Sequence, residues 1–240
     1  MNQKLIMTVQ SRFDGPDGQQ FLGVLGSNLW LNFFIDYLNR LDLMLDSEAI
    51  TVEDHYQGLL DKGKLGFTSR NDLKITGKFT KNLVYGFLFA SAYSFAEAEL
   101  VSWCEYFQSQ SGNKSLSLKE IRASDQSLSK AMLYLEKVVG SNFPDLKNWR
   151  DWKELKDRYQ PLRNRVVHAQ ATLYSGDRDK GLRKYINEHP RLSISKSGGL
   201  YGNDLIIFHQ GFAQEAALNV RNFLMIAQKS IEQSSQKDHK

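Results

Sequence analysis

Apolar positions recur at helical spacing along most of this chain. From about Ser27 to Leu45, "SNLWLNFFIDYLNRLDLML", Leu31, Phe34, Leu38, Leu41 and Leu45 fall three or four apart, which predicts a helix. Its polar face is thin, so the pattern predicts burial on more than one side, in a bundle or across a dimer interface. A second helix is predicted over 51–62, "TVEDHYQGLLDK", where Thr51 can cap and acids fill the first turn. The stretch "GKLGFTSRNDLKITGK" that follows carries enough Gly, Asn and Asp to read as a loop. A long helix is predicted from about Phe79 to Gln108, with Gly86 and a run of Ala and Ser marking a side where another element packs closely.

Residues 109–127, "SQSGNKSLSLKEIRASDQS", read as a surface loop within the domain. Helices are predicted at 128–139 and, after the turn "SNFPDLKNW", at 147–159. Pro161 removes a backbone donor and predicts a kink or a restart. After Tyr174 the pattern changes: "RLSISKSGGLYGNDLIIF", 191–208, alternates on both sides of a Gly-rich centre and predicts a β-hairpin or a long flexible tongue. The last helix, about Gln210 to Ser230, places Phe212, Ala216, Val220, Phe223 and Ala227 on one face, and "QSSQKDHK" is expected to fray. The fold class is therefore mainly α, a helical bundle with a β-hairpin insertion near 191–208. One domain over 1–240 is expected.

Composition narrows the class. With 41% hydrophobic and 24% charged residues in 240, the chain is an ordinary globular one and long enough to bury its own core. Cys104 is the only cysteine, so no intrachain disulfide can form, and a cytoplasmic, reducing setting is expected. In "ELVSWCEYF" it reads as a packed thiol. The start, "MNQKLIMTVQSRFDG", predicts no secretory leader, and the apolar stretch from Leu83 to Ala96 is too short to span a bilayer. No membrane partner is expected. Lys and Arg exceed Asp and Glu by 31 − 27 = 4, which permits a polyanion partner without demanding one.

The candidate chemistry lies in "PLRNRVVHAQ", 161–170. An arginine followed by any four to six residues and then a histidine is a loose pattern, and Arg183 with His189 in "RKYINEHP" also fits it, in what reads as a loop. Requiring Asn directly after the Arg lowers the chance expectation to roughly 0.015 in a chain of this composition. Only Arg163, Asn164 and His168 meet that requirement. Arginine can donate two aligned hydrogen bonds to a phosphate, asparagine can orient a neighbour, and histidine titrates near neutral pH. On an ideal helix Arg163 and His168 point about 140° apart, whereas Asn164 and His168 share a face. A site using all three needs a distorted helix, the reach of Arg, or a second subunit, and Pro161 is a source of distortion. The bland alternative makes Arg163 and Arg165 solvent-facing, Val166 and Ala169 core, and His168 an interfacial residue.

Charge supports the first reading. Lys147, Arg150, Lys153, Lys156, Arg158, Arg163 and Arg165 stand against Asp151, Glu154 and Asp157, and Trp149, Trp152 and Tyr159 lie among them. Lys153, Lys156, Arg158 and Arg165 are candidate RNA backbone contacts, with the aromatics as candidate stacking platforms. The competing reading is a salt-bridged solvent face. No zinc spacing, Walker loop or nucleophile elbow is present, and neither a metal nor a cofactor is expected.

Arg163, Asn164 and His168, on a late helix after a tryptophan-bearing one and before a closing amphipathic helix, resemble the HEPN superfamily of helical nucleotide-binding and ribonuclease domains. The resemblance covers about 80–230, and it divides the chain into an N-terminal helical extension, 1–75, and a HEPN-like bundle, 76–232. It implies metal-independent endoribonuclease activity in prokaryotic anti-phage defence or toxin–antitoxin stress response. It also implies a homodimer that brings two copies of His168 together, RNA as substrate, and an antitoxin or defence-system partner protein. An acid on an early helix, Glu97 or Glu99, would face the motif. Gln170 stands where the nucleotidyltransferase-partnered branch has Tyr, which counts against a simple toxin of that type. A non-catalytic HEPN-like RNA- or nucleotide-binding or dimerisation module is the alternative.

Overall fold

The computed structural model describes residues 31–41, 43–44, 69–110, 120, 127–174, 179–196 and 203–235. The protein is mainly helical with one small sheet. Its helices are α1 (31–41), α2 (Ser69–Gln110), α3 (Ser127–Lys137), α4 (150–169), α5 (Lys180–Glu188) and α6 (Phe212–Ser235). The strands are β1 (Thr172–Leu173), β2 (Leu192–Ser195) and β3 (Asp204–Phe208). The helix expected at 51–62 lies outside the described residues. Among the described residues no helix is long and apolar enough to cross a membrane.

The 42-residue α2 is the spine, and α3, α4, α6 and β3 all pack on it. Helix begins at Ser69, inside the stretch "GKLGFTSRNDLKITGK" whose composition predicts a loop. Gly, Asn and Asp each cost a helix at most about 1 kcal/mol, and a long helix already packed further along tolerates that. Where α2 meets the sheet, a Cβ on Gly86 would stand 3.2 Å from the Phe208 ring and 3.6 Å from Val166 Cγ1. The close approach anticipated at Gly86 is therefore made to both β3 and α4.

An aromatic nucleus sits at that junction. Phe89 meets Tyr159 edge-on at 5.4 Å and lies 5.2 Å from Phe212 and 6.0 Å from Phe208 between ring centroids. Cys104 is buried, its Sγ 3.5 Å from the Ala131 carbonyl, and burial pushes the thiol up to about 12. It is a packed, inert thiol.

The hairpin over 191–208 forms as an antiparallel pair in the register Leu192↔Phe208 to Ser195↔Leu205. The pattern did not disclose β1, a two-residue strand that pairs with the other edge of β3 and gives the order β1-β3-β2. Asn82 of α2 pins the central strand. Its amide donates to the Ile206 carbonyl (2.9 Å) and accepts from the Phe208 N–H (2.6 Å), all buried. Asn82→Ala strands two buried backbone groups, so a loss of about 2–4 kcal/mol in denaturant unfolding is expected.

Two further expectations are corrected. The stretch holding Arg183 and His189 is no loop: Leu182, Tyr185 and Ile186 form the buried face of α5, and His189 follows its last turn. The exposed stacking platforms are also absent, because Trp149, Trp152 and Tyr159 are buried. Both tryptophans stack on Phe223 of α6, and the Tyr159 hydroxyl accepts a hydrogen bond from Asn219 (2.7 Å). Large aromatics at helical spacing are more valuable as core than as solvent-facing rings. Helix α1 buries Leu31 and Leu38 on one side only, leaving Phe33 and Tyr37 more than half exposed in the single chain.

Candidate active site

The motif helix is continuous with the segment before it. Arg150–Lys153 runs into a π-helical stretch, Glu154–Tyr159, and on into Gln160–Ala169; together they make α4. The Gln160 N–H bonds five residues back, to the Leu155 carbonyl. Pro161 has no N–H and crowds the carbonyl four residues before it, so the wider turn just upstream takes the place of the anticipated kink or restart. The distortion thus ends before the motif. From Arg163 to His168 the helix is regular, and the angular separation of about 140° stands.

The helix is stopped sharply. Gln170 and Ala171 both adopt left-handed backbone (φ 48° and 60°), at a cost of roughly 1–2 kcal/mol each. Their N–H groups both bond the Arg165 carbonyl, and the chain passes directly into β1. Three residues beyond His168 the backbone is already tied to the sheet, the Ala171 carbonyl accepting the Ile206 N–H at 2.9 Å.

Arg163 turns toward α2. Its Nη2 lies 3.7 Å from Glu97 Oε2, and its Nη1 donates to Asn164 Oδ1 at 3.2 Å. Of the two acids singled out, Glu97 meets the motif, while Glu99 accepts from Trp103 Nε1 on its own helix (3.0 Å). Beneath the pair, one turn back on α2, burial and the Glu97 charge push the Tyr93 phenol well above its ordinary range, with Arg163 pulling the other way. Asn164, Val167 and His168 face solvent, Val167 being 45% exposed. Among the described residues His168 makes no hydrogen bond or ion pair. Arg163 is thus held in place while His168 is free, on one regular helix.

The four cations singled out as RNA contacts divide into two groups. Lys153 and Lys156 are exposed, the latter with its ammonium 5.8 Å from the Trp152 ring centroid. Arg158 lies 5.3 Å from the centroid of the Tyr185 ring. Arg165 is engaged internally: its Nη2 donates to Asp179 Oδ1 at 2.6 Å, and its guanidinium covers the Tyr174 ring at 4.5 Å. Among the described residues Asp151, Glu154 and Asp157 form no ion pair with the basic residues interleaved with them on α4. Asp151 accepts from Trp149 Nε1 (3.4 Å) and Glu154 from the Tyr185 hydroxyl (2.9 Å).

Arg183 and His189, the looser match, serve separate structural roles. Arg183 binds Asp204 (2.6 Å) and the Tyr174 carbonyl (3.0 Å). His189 Nδ1 accepts the Arg191 N–H (3.2 Å), which leaves Nε2 to carry the proton toward Glu215 Oε1 at 3.2 Å. Neither the Arg165–Asp179 nor the His189–Glu215 pair is legible in the chain's periodicity, because each joins residues in or beside different elements that meet only once those elements have packed. Among the described residues no group of three His, Cys, Asp or Glu side chains is placed to hold a metal.

Compared with known protein families, curated proteins and solved structures, the chain matches none.

Proposed function

We propose that the chain is a HEPN-like endoribonuclease that cleaves RNA without a metal, using Arg163 and His168. The observation that carries this reading is an exposed, unpartnered His168 one turn from an exposed Asn164, on a helix whose Arg163 is held beside Glu97. The 2′-hydroxyl oxygen attacks the adjacent phosphorus and gives its proton to a base. The bond to the 5′-oxygen breaks and that oxygen takes a proton from an acid, leaving a 2′,3′-cyclic phosphate and a 5′-hydroxyl. Arg163 stabilises the charge on the phosphoryl oxygens and Asn164 orients it.

One His168 performs one of the two proton transfers at a time, so a second copy of the chain supplies the other. Exposed Val167, next to His168 in the chain, favours this, and so does exposed Phe87, which adjoins Gly86 where α2 packs on Val166. The anti-phage or toxin–antitoxin setting, a cytoplasmic location and a neutralising partner protein rest on the resemblance and on the lone cysteine.

A second reading has its own observation. Arg163 already has partners in Glu97 and Asn164, as expected of a non-catalytic RNA-binding or dimerisation module. Incubating the purified chain with mixed RNA in excess EDTA separates the two. The enzyme yields cyclic-phosphate ends at a rate that falls steeply when dilution splits the dimer, whereas the module binds RNA and leaves it whole. Glu97→Gln refines the test. A partly exposed pair at 3.7 Å contributes less than about 1 kcal/mol, so the variant should melt as wild type does. Cleavage is nevertheless expected to fall about ten- to a hundred-fold through misplacement of Arg163.

A further inference from the structure

Between α3 and the first half of α4 lies an open cleft of about 410 Å³, which includes none of the motif residues and is within the usual range for small-ligand sites of roughly 300–1,000 Å³. Half-buried Leu133 and Leu146, with the buried Met132 and Trp152, form its apolar wall. Lys147, Lys153 and Lys156 stand around it, all exposed. Among the described residues no carboxylate lies within ion-pair distance of any of the three. Two acids also line the cleft, Glu136 and Asp157. Ser129, in the same wall, has a buried hydroxyl without a hydrogen-bond partner.

Unneutralised ammonium groups around an apolar wall suit a ligand that is flat on one side and anionic on the other. We propose that this cleft holds one nucleotide of a single-stranded RNA, with the base against the apolar wall and the phosphate among the lysines. The inference rests on the reading of the chain as an RNA-handling protein and adds where a nucleotide binds and which bases are taken. Carboxylates only accept hydrogen bonds. Glu136 and Asp157 therefore favour cytosine, adenine and guanine, which present an amino group, over uracil, whose single ring N–H is flanked by two carbonyls that a carboxylate repels. Lys156 precedes Arg163 by seven residues on α4, about 10 Å along the axis, so the cleft serves a nucleotide near the one being cleaved.

Binding is measured apart from cleavage with fluorescently labelled, short 2′-O-methyl oligonucleotides, which lack the attacking hydroxyl, on the full chain by anisotropy. Oligo-C and oligo-A are expected to bind about tenfold more tightly than oligo-U. Leu133→Trp fills the cleft and leaves every lysine in place; it should cost about tenfold in affinity for oligo-C and remove the preference over oligo-U. The double variant Lys153→Gln with Lys156→Gln should weaken all three oligomers and flatten the salt dependence. Glu136→Gln with Asp157→Asn changes only exposed groups and keeps the test decisive if Leu133→Trp does not fold: it should abolish the base preference. Equal binding of oligo-U and oligo-C by wild type, or an undiminished preference in a folded Leu133→Trp or in the carboxamide pair, overturns the proposal. Cleavage of unmodified RNA, measured in parallel, keeps the two claims distinct. Base preference without cleavage retains the cleft and removes the ribonuclease; cleavage without base preference does the reverse.

Discussion

Asp179→Ala is expected to lower the unfolding free energy by about 3–5 kcal/mol, among the largest effects of any single substitution in this protein. Asp179 is 4% exposed and its partner Arg165 16%, so neither charge has water to fall back on. One carboxylate oxygen takes the Arg165 guanidinium at 2.6 Å and the other the Tyr174 N–H at 2.8 Å. Removing the carboxylate leaves a nearly buried cation against the Tyr174 ring and takes the Asp179 acceptor away from the Tyr174 N–H. The damage is local to the end of α4, where the chain turns through Gln170 and Ala171 into β1. Asp179→Asn keeps an acceptor in place and should cost appreciably less. Urea unfolding of the two variants beside wild type checks both the size and the order. A loss under about 1 kcal/mol for Asp179→Ala would mean that Arg165 is solvated in solution and available to RNA after all.

His168→Ala should behave in the opposite way. The side chain is exposed and makes no hydrogen bond or ion pair among the described residues, so stability should change by no more than about 0.5 kcal/mol. Removing a general acid or base slows the chemical step by about 10²–10⁴-fold. A site that needs His168 from both copies loses both proton transfers at once, which places the loss toward the upper end. Loss of the dimer in this variant, with stability unchanged, would instead make Val167 and His168 an interface.

How much of this was legible in the sequence varied with the kind of signal. The spine helix, the closing helix and the hairpin follow from period alone, since Phe212, Ala216, Val220, Phe223 and Ala227 repeat at helical spacing and the 191–208 stretch alternates about its Gly-rich centre. Composition misled at Ser69, because Gly, Asn and Asp are weak obstacles to a helix that is stabilised elsewhere. The tryptophans misled for a related reason. Trp149 and Trp152 lie in a basic stretch, but a helix has two sides, and Phe223 on α6 claims the rings while the lysines keep the solvent. Arg163, Asn164 and His168 stand out in the sequence by their spacing alone, and an acid facing them was implied by the resemblance; that Glu97 and not Glu99 meets Arg163 depends on the phase of α2 against α4. The π-helical turn was not legible, since Pro161 announces a disturbance without saying how the preceding backbone absorbs it. Arg165 shows the limit most clearly: its partner lies fourteen residues away, beyond the turn at Gln170 and Ala171 and beyond β1.

The central claim is that His168 moves a proton in RNA cleavage. The most direct test is the single-turnover cleavage rate of wild-type and His168→Ala protein on the same RNA in excess EDTA, with oligomeric mass and melting curve recorded for both. The account predicts cyclic-phosphate products from wild type and a rate at least about a hundredfold lower from an equally stable, equally dimeric variant. Equal rates from the two proteins would contradict it.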